Sequence, residues 1–158
     1  MRACWSKVGQ QRRIPVPAAG SKQRAHVIGA YNWRSDSITW QTVAWKNSEH
    51  FIGFLEHLLV RIYPTAHVIL VMDNVSYHHS GATLAALSLF EHRLQLIWLP
   101  AYCSDLNPIE RFWRHLKDLA CANKLEADLP ALVTTVERTL AHQNQPDHPD
   151  RFALSKLL

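Results

Sequence analysis

Five consecutive apolar residues, Val68-Ile69-Leu70-Val71-Met72, stop abruptly at Asp73-Asn74. A run this short and uniformly apolar suits a parallel strand buried on both faces. Parallel neighbours need crossover helices, and the flanking sequence supplies them. Upstream, Phe51, Phe54, Leu55, Leu58, Leu59 and Ile62 recur at helical spacing. Asn47 or Ser48 can cap that helix and Pro64 stops it. Downstream, Ser80–His92 reads as a helix with Leu84, Leu87 and Phe90 inward, and Leu94–Leu99 as a second buried strand closed by Pro100.

The remaining segments complete an α/β pattern. Val27–Trp33 and Ile38–Trp45 read as a strand hairpin joined by a turn at Arg34–Ser37. Asn107-Pro108-Ile109-Glu110 is a helix start: Asn caps, Pro takes the first helical position, and Glu follows three after the cap. That helix turns Ile109, Phe112, Trp113, Leu116, Leu119 and Ala120 to one face, and Glu110, Arg114, Lys117 and Asp118 to the other. A last helix over about 130–142 buries Leu132, Val133, Val136 and Leu140. The order predicts a mixed sheet flanked by helices, with the antiparallel pair first and the parallel strands after it. Residues 1–24 form an irregular basic arm, with a short strand expected around Cys4–Val8; residues 25–145 form the domain, and 146–158 a tail or short helix.

Composition excludes several classes. An apolar fraction of 47% and six tryptophans in 158 residues describe a folded globule. Cys4, Cys103 and Cys121 make an odd count without a pairing motif, which points to a reducing cytoplasm. No apolar run is long enough for a membrane span. Residues 1–35 hold seven Lys or Arg and no acid. Such an arm, including Arg12, Arg13, Lys22 and Arg24, either neutralises nucleic-acid phosphates or is simply solvated.

Two acids occupy telling places. Asp73 ends a strand, where open α/β sheets put their ligand sites. Glu110 opens the helix after the next strand. Adjacent parallel strands bring both carboxylates toward one sheet edge, where hard oxygen donors can hold divalent cations for phosphodiester cleavage. Taken singly, each acid has a plainer reading: an Asp-Asn turn for the first, half of a capping box for the second.

The wording of the two segments adds to this. Val71-Met72-Asp73-Asn74-Val75-Ser76-Tyr77-His78 resembles the second-aspartate motif of DDE transposases, and Leu99-Pro100-Ala101-Tyr102-Cys103-Ser104-Asp105-Leu106-Asn107-Pro108-Ile109-Glu110 closely resembles their long signature around the final glutamate. The 36 residues between Asp73 and Glu110 are near the spacing typical of the mariner-related branch and its insertion-sequence relatives, and Trp5-Ser6-Lys7-Val8-Gly9-Gln10 resembles a further family segment. Ala101 and Cys103-Ser104 depart from the signature without removing an acid.

The resemblance implies an RNase H-like fold, and Mg2+- or Mn2+-dependent strand cleavage and strand transfer at insertion-sequence ends. Asp73 and Glu110 would be the catalytic metal ligands, with Asn74 and His78 supporting them. His78 would contact the scissile phosphate or orient the ligands, with an exposed structural histidine as the plainer reading; the motif spacing favours it over His79. Arg111, Arg114 and Lys117 would meet DNA phosphates or be ordinary solvated helix charge. Asp105 and Asn107 would shape the loop and cap the helix. Family members place the first aspartate on a strand before the Trp5 segment, whereas here no acid precedes Asp36, which falls in the hairpin turn. The chain is therefore expected to lack the first central strand and that ligand, to self-associate, and to cleave DNA weakly or not at all alone. The competing expectation is a non-catalytic fragment that binds DNA or intact transposase and regulates transposition. Either protein would be bacterial, cytoplasmic and nucleoid-associated.

Overall fold

A computed structural model describes residues 24–100, 106–121 and 126–147. Two strands, β1 (His26–Asn32) and β2 (Ser37–Val43), pair antiparallel, with Gly29 opposite Trp40 and Asn32 opposite Ser37. Asp36 takes a left-handed conformation (φ 51) in the connecting turn, and its carboxylate accepts a hydrogen bond from the Tyr31 hydroxyl. Asp and Asn tolerate that region better than most residues.

Helix α1 (Ser48–Glu56) starts under Asn47, whose side chain accepts the His50 amide at 2.9 Å. It continues through His57–Ile62 as a π-helical turn, closed by the Tyr63 amide donating to Leu58 O at 2.9 Å. The Arg93 guanidinium takes up carbonyls at this helix end, reaching Leu59 O at 2.7 Å and Tyr63 O at 2.8 Å. Strand β3 (Val68–Met72) then pairs parallel with β4 (Leu94–Trp98), residue for residue from Val68↔Leu94 to Met72↔Trp98. The connection between them is a 3-10 turn (Ser76–His79) and α2 (Gly81–Ser88). Two more helices follow, α3 (Pro108–Cys121) and α4 (Leu129–Gln143), the latter capped by Asp128 accepting from Ala131 N at 2.8 Å.

Among the described residues the single mixed sheet expected from the sequence is found as two two-stranded sheets, β1–β2 and β3–β4. The helices divide between two cores. In one, Phe51, Phe54, Leu55, Leu58 and Leu59 of α1 and its π turn pack with Ile28, Met72, Leu87 and Leu94. In the other, Ile109, Phe112, Leu116 and Ala120 of α3 pack with Ile38, Val136 and Leu140. Asn144 joins α4 to the hairpin in the manner of a strand residue: its amide donates to Ile38 O at 2.7 Å while its oxygen accepts Ile38 N at 2.8 Å.

Three expectations are corrected. Strand β3 is not buried on both faces: Met72 is 4% exposed, but Ile69 and Val71 are 63% and 43% exposed. The first core covers the Val68-Leu70-Met72 face, whereas α3 and α4 lie against the hairpin and leave the alternate residues uncovered by any described element. Leu84 points outward, at 45% exposure, because α2 is shorter than predicted and Thr83, fully buried, takes the inward position. The Thr83 hydroxyl donates to Tyr77 O at 2.7 Å and so ties α2 to the preceding turn. Leu119 is exposed, and Ala120 holds the inward place at the end of α3. The expected strand at Cys4–Val8, the arm and the tail from 148 onward lie outside the described residues. No described helix is long and apolar enough to cross a membrane.

Two glycines give opposite predictions. A Cβ at Gly29 would come within 2.8 Å of the Trp113 ring and 3.1 Å of Thr39 O, whereas one at Gly53 meets nothing within 4 Å. Gly29→Ala is expected to lower stability by about 1–3 kcal/mol through overpacking. Gly53→Ala, in the middle of α1, should raise it by roughly 0.5–1 kcal/mol. Urea melts of both variants measure the pair. By the same method Arg93→Ala is expected to cost about 2–3 kcal/mol, since it strips a charged donor from two or more carbonyls.

Candidate functional site

The parallel pairing of β3 and β4 puts both strand ends on one edge. Asp73 is the first residue beyond β3. The ladder runs one bond further there, with the Leu99 amide donating to Met72 O at 2.8 Å. Asn74 then bridges the two exits: its amide donates to Leu99 O at 2.6 Å, and its oxygen accepts from His79 Nε2 at 2.7 Å. The His79 ring stacks on Trp98, the last residue of β4, with centroids 4.1 Å apart. Asn74 thus closes the strand ends structurally.

His78 is buried, at 9% exposure, which overturns the reading of an exposed histidine. Its Nδ1 lies 2.9 Å from Asp73 Oδ1 and 3.1 Å from Asp73 O. Its ring packs against Phe51 at 4.0 Å and edge-on against Tyr77 at 4.5 Å. Burial lowers the His78 pKa from its ordinary value, against the raising influence of the Asp73 hydrogen bonds and charge. The contact is therefore a neutral imidazole donating to a carboxylate, and not an ion pair, at neutral pH. Asp73 itself stays partly open, with 37% of its side chain accessible.

Glu110 reaches the same neighbourhood from the other core. Pro108 occupies the first position of α3, Asn107 O accepts Glu110 N at 3.0 Å, and Asn107 Oδ1 accepts Ile109 N at 3.4 Å. The carboxylate is exposed in the first helical turn, where the helix dipole favours negative charge. Trp113, one turn along, fits into the space over Gly29. The two acids meet electrostatically at Tyr77. Its phenol is pushed above the ordinary tyrosine value by burial first, then by the charge of Asp73, then by that of Glu110. One half-buried hydroxyl, kept protonated at neutral pH, feels both carboxylates.

Tyr77 was not singled out from the sequence, because an aromatic residue between two polar ones reads as core. Asp36 stays in the hairpin turn, bonded to Tyr31. The end of β1 is tied to the segment before β3, the Asn32 amide donating to Tyr63 Oη at 2.7 Å, whereas Asp73 follows the end of β3. Among the described residues no three His, Cys, Asp or Glu side chains cluster in a way that could hold a metal ion. Arg111, Arg114 and Lys117 are exposed along α3, and Arg24 is exposed before β1. Arg12, Arg13, Lys22, Cys103 and Asp105 lie outside the described residues.

The profile of the DDE superfamily endonuclease family matches residues 1–132. An insertion element IS630 uncharacterized 39 kDa protein of Shigella sonnei is 27% identical over 121 residues, 77% of this chain. The chain spans about a third of that relative's length, 34%. A strand-end aspartate, a helix-opening glutamate and a family match that embraces both agree, and the chain belongs to the DDE superfamily endonuclease family.

Proposed function

We propose that this chain is part of an insertion-sequence transposase of the mariner-related branch, with an RNase H-like catalytic domain acting on transposon ends and target DNA. The reading rests on one observation above the others: Asp73 stands, partly open, at the shared exit of the parallel pair β3–β4 with its carboxylate 2.9 Å from His78 Nδ1, and Glu110 opens α3 within electrostatic reach of the same turn. The family match and the IS630 relative supply the context.

The donor set suits a hard divalent cation. Mg2+ keeps several waters and commonly takes only one or two carboxylates from the protein, together with substrate phosphate oxygens. Asp73 and Glu110 would hold Mg2+ or Mn2+, and when bound the ion supplies water activation and stabilisation of the leaving oxygen. The chain's own residues do the rest. Asp73 and Glu110 present oxygens at an accessible edge. Arg111, Arg114 and Lys117, exposed on the helix that Glu110 opens, supply positive charge for the DNA backbone. Arg24 adds to it. Self-association of the chain belongs to this proposal, and a dimer mass by light scattering is its expected signature.

Mn2+ titration followed by electron paramagnetic resonance tests the ligands. Asp73→Asn and Glu110→Gln are each expected to weaken binding at least about tenfold; wild-type affinity in both variants sinks the site. DNA retention tests the helix face. Replacing Arg111, Arg114 and Lys117 together by Ala should flatten the dependence of log K on log salt by about 2–3. An unchanged slope assigns these charges to solvent.

A further inference from the structure

The adjacent histidines of the Ser76–His79 turn face different partners with different ring nitrogens. His78 presents Nδ1 to two oxygens of Asp73, Oδ1 at 2.9 Å and the backbone O at 3.1 Å. Both are acceptors, so the proton resides on Nδ1. His79 presents Nε2 to Asn74 Oδ1 at 2.7 Å. The orientation of that amide is set by its other end, where Nδ2 donates to Leu99 O at 2.6 Å. Oδ1 is then an acceptor, and His79 must carry its proton on Nε2. The two rings are neighbours in sequence and opposite in tautomer.

Each ring is also held against rotation. His78 is packed between Phe51, at 4.0 Å, and Tyr77, at 4.5 Å. His79 lies stacked on Trp98 at 4.1 Å with 26° between the planes. The turn beneath them is anchored from two sides. Ser48 Oγ donates to Tyr77 O at 3.4 Å from the start of α1, and Thr83 Oγ1 donates to the same oxygen at 2.7 Å from α2.

We propose that His78 and His79 are a pair of positioning residues with divided labour. His78 fixes the rotamer of the Asp73 carboxylate. His79, through Asn74, holds the exits of β3 and β4 together at Leu99 and so fixes the backbone on which Asp73 stands. The pair fixes the place of the Asp73 carboxylate, which a two-carboxylate cation site requires to be constant. This inference rests on the metal-site reading of Asp73 and Glu110 above. It assigns neither histidine to the cation or to the scissile phosphate.

Opposite tautomers give a test that simple packing does not mimic. An Asn side chain places its amide nitrogen near the Nδ1 position of a histidine, whereas Gln places it near Nε2. His78→Asn and His79→Gln are expected to keep Mn2+ affinity within a few fold of the wild type, while His78→Gln and His79→Asn lose about ten- to a hundredfold, the usual range for partners of metal ligands. Long-range 1H–15N correlation spectra of the full chain should show His78 protonated at Nδ1 and His79 at Nε2. Equal effects of Asn and Gln at either position, or the same tautomer at both, overturn the proposal. Asp73→Asn distinguishes the layers. If it leaves Mn2+ affinity unchanged, the metal-site reading fails and this inference with it. If it abolishes binding while His78→Gln and His79→Asn do not weaken it, only the positioning role is lost.

Discussion

Everything at the candidate site depends on the parallel pairing of β3 with β4. An antiparallel partner would have sent the two strand exits to opposite ends. The in-register ladder, prolonged by the Leu99 amide on Met72 O, delivers both exits to one edge. A parallel pair also needs a crossover, and here the crossover carries the chemistry-bearing residues. The turn that holds Tyr77, His78 and His79 lies between β3 and α2, directly behind Asp73. The topology that brings the strands together thus packs the aromatic and imidazole groups against the first acid.

The second acid is held by a different set of forces. Asp73 ends a strand whose inner face belongs to the core of α1 and α2, whereas Glu110 opens a helix packed on the hairpin with α4. The separation of the two carboxylates is consequently a property of how two apolar clusters meet, across β1. Ile28 and Ala30 face one cluster while Val27 and Tyr31 face the other, and Gly29 admits Trp113 close to the backbone. A strand whose alternate residues feed two cores couples them mechanically, because interiors are close-packed and do not deform freely.

The environment behind the acids is polar but uncharged at neutral pH. Burial lowers the pKa of His78 and raises that of Tyr77, so the imidazole that donates to Asp73 and the phenol beside it both stay neutral. A neutral donor orients the Asp73 carboxylate without cancelling its charge, which is what the proposed cation site needs.

Much of this was legible along the chain. The hairpin, the Asn47 cap, the strand ending at Asp73 and the Pro108 helix start are local features, written in turn chemistry, capping residues and apolar spacing, and all four occur where those signals put them. Local signals failed where the answer lay in a neighbour. An apolar run shows that Ile69 and Val71 can be buried, but only the placement of α3 and α4 over the hairpin decided that no described element covers them. Helical spacing allowed Leu84 to face inward, but the buried hydroxyl bond of Thr83 to Tyr77 decided the rotation of α2. The sequence by itself determined which acids sit at element ends, since caps and strand ends are properties of short segments. Tertiary structure alone decided that both acids lie within electrostatic reach of Tyr77 and that His78 and His79 turn different nitrogens to different partners, because such arrangements join residues that no local periodicity relates.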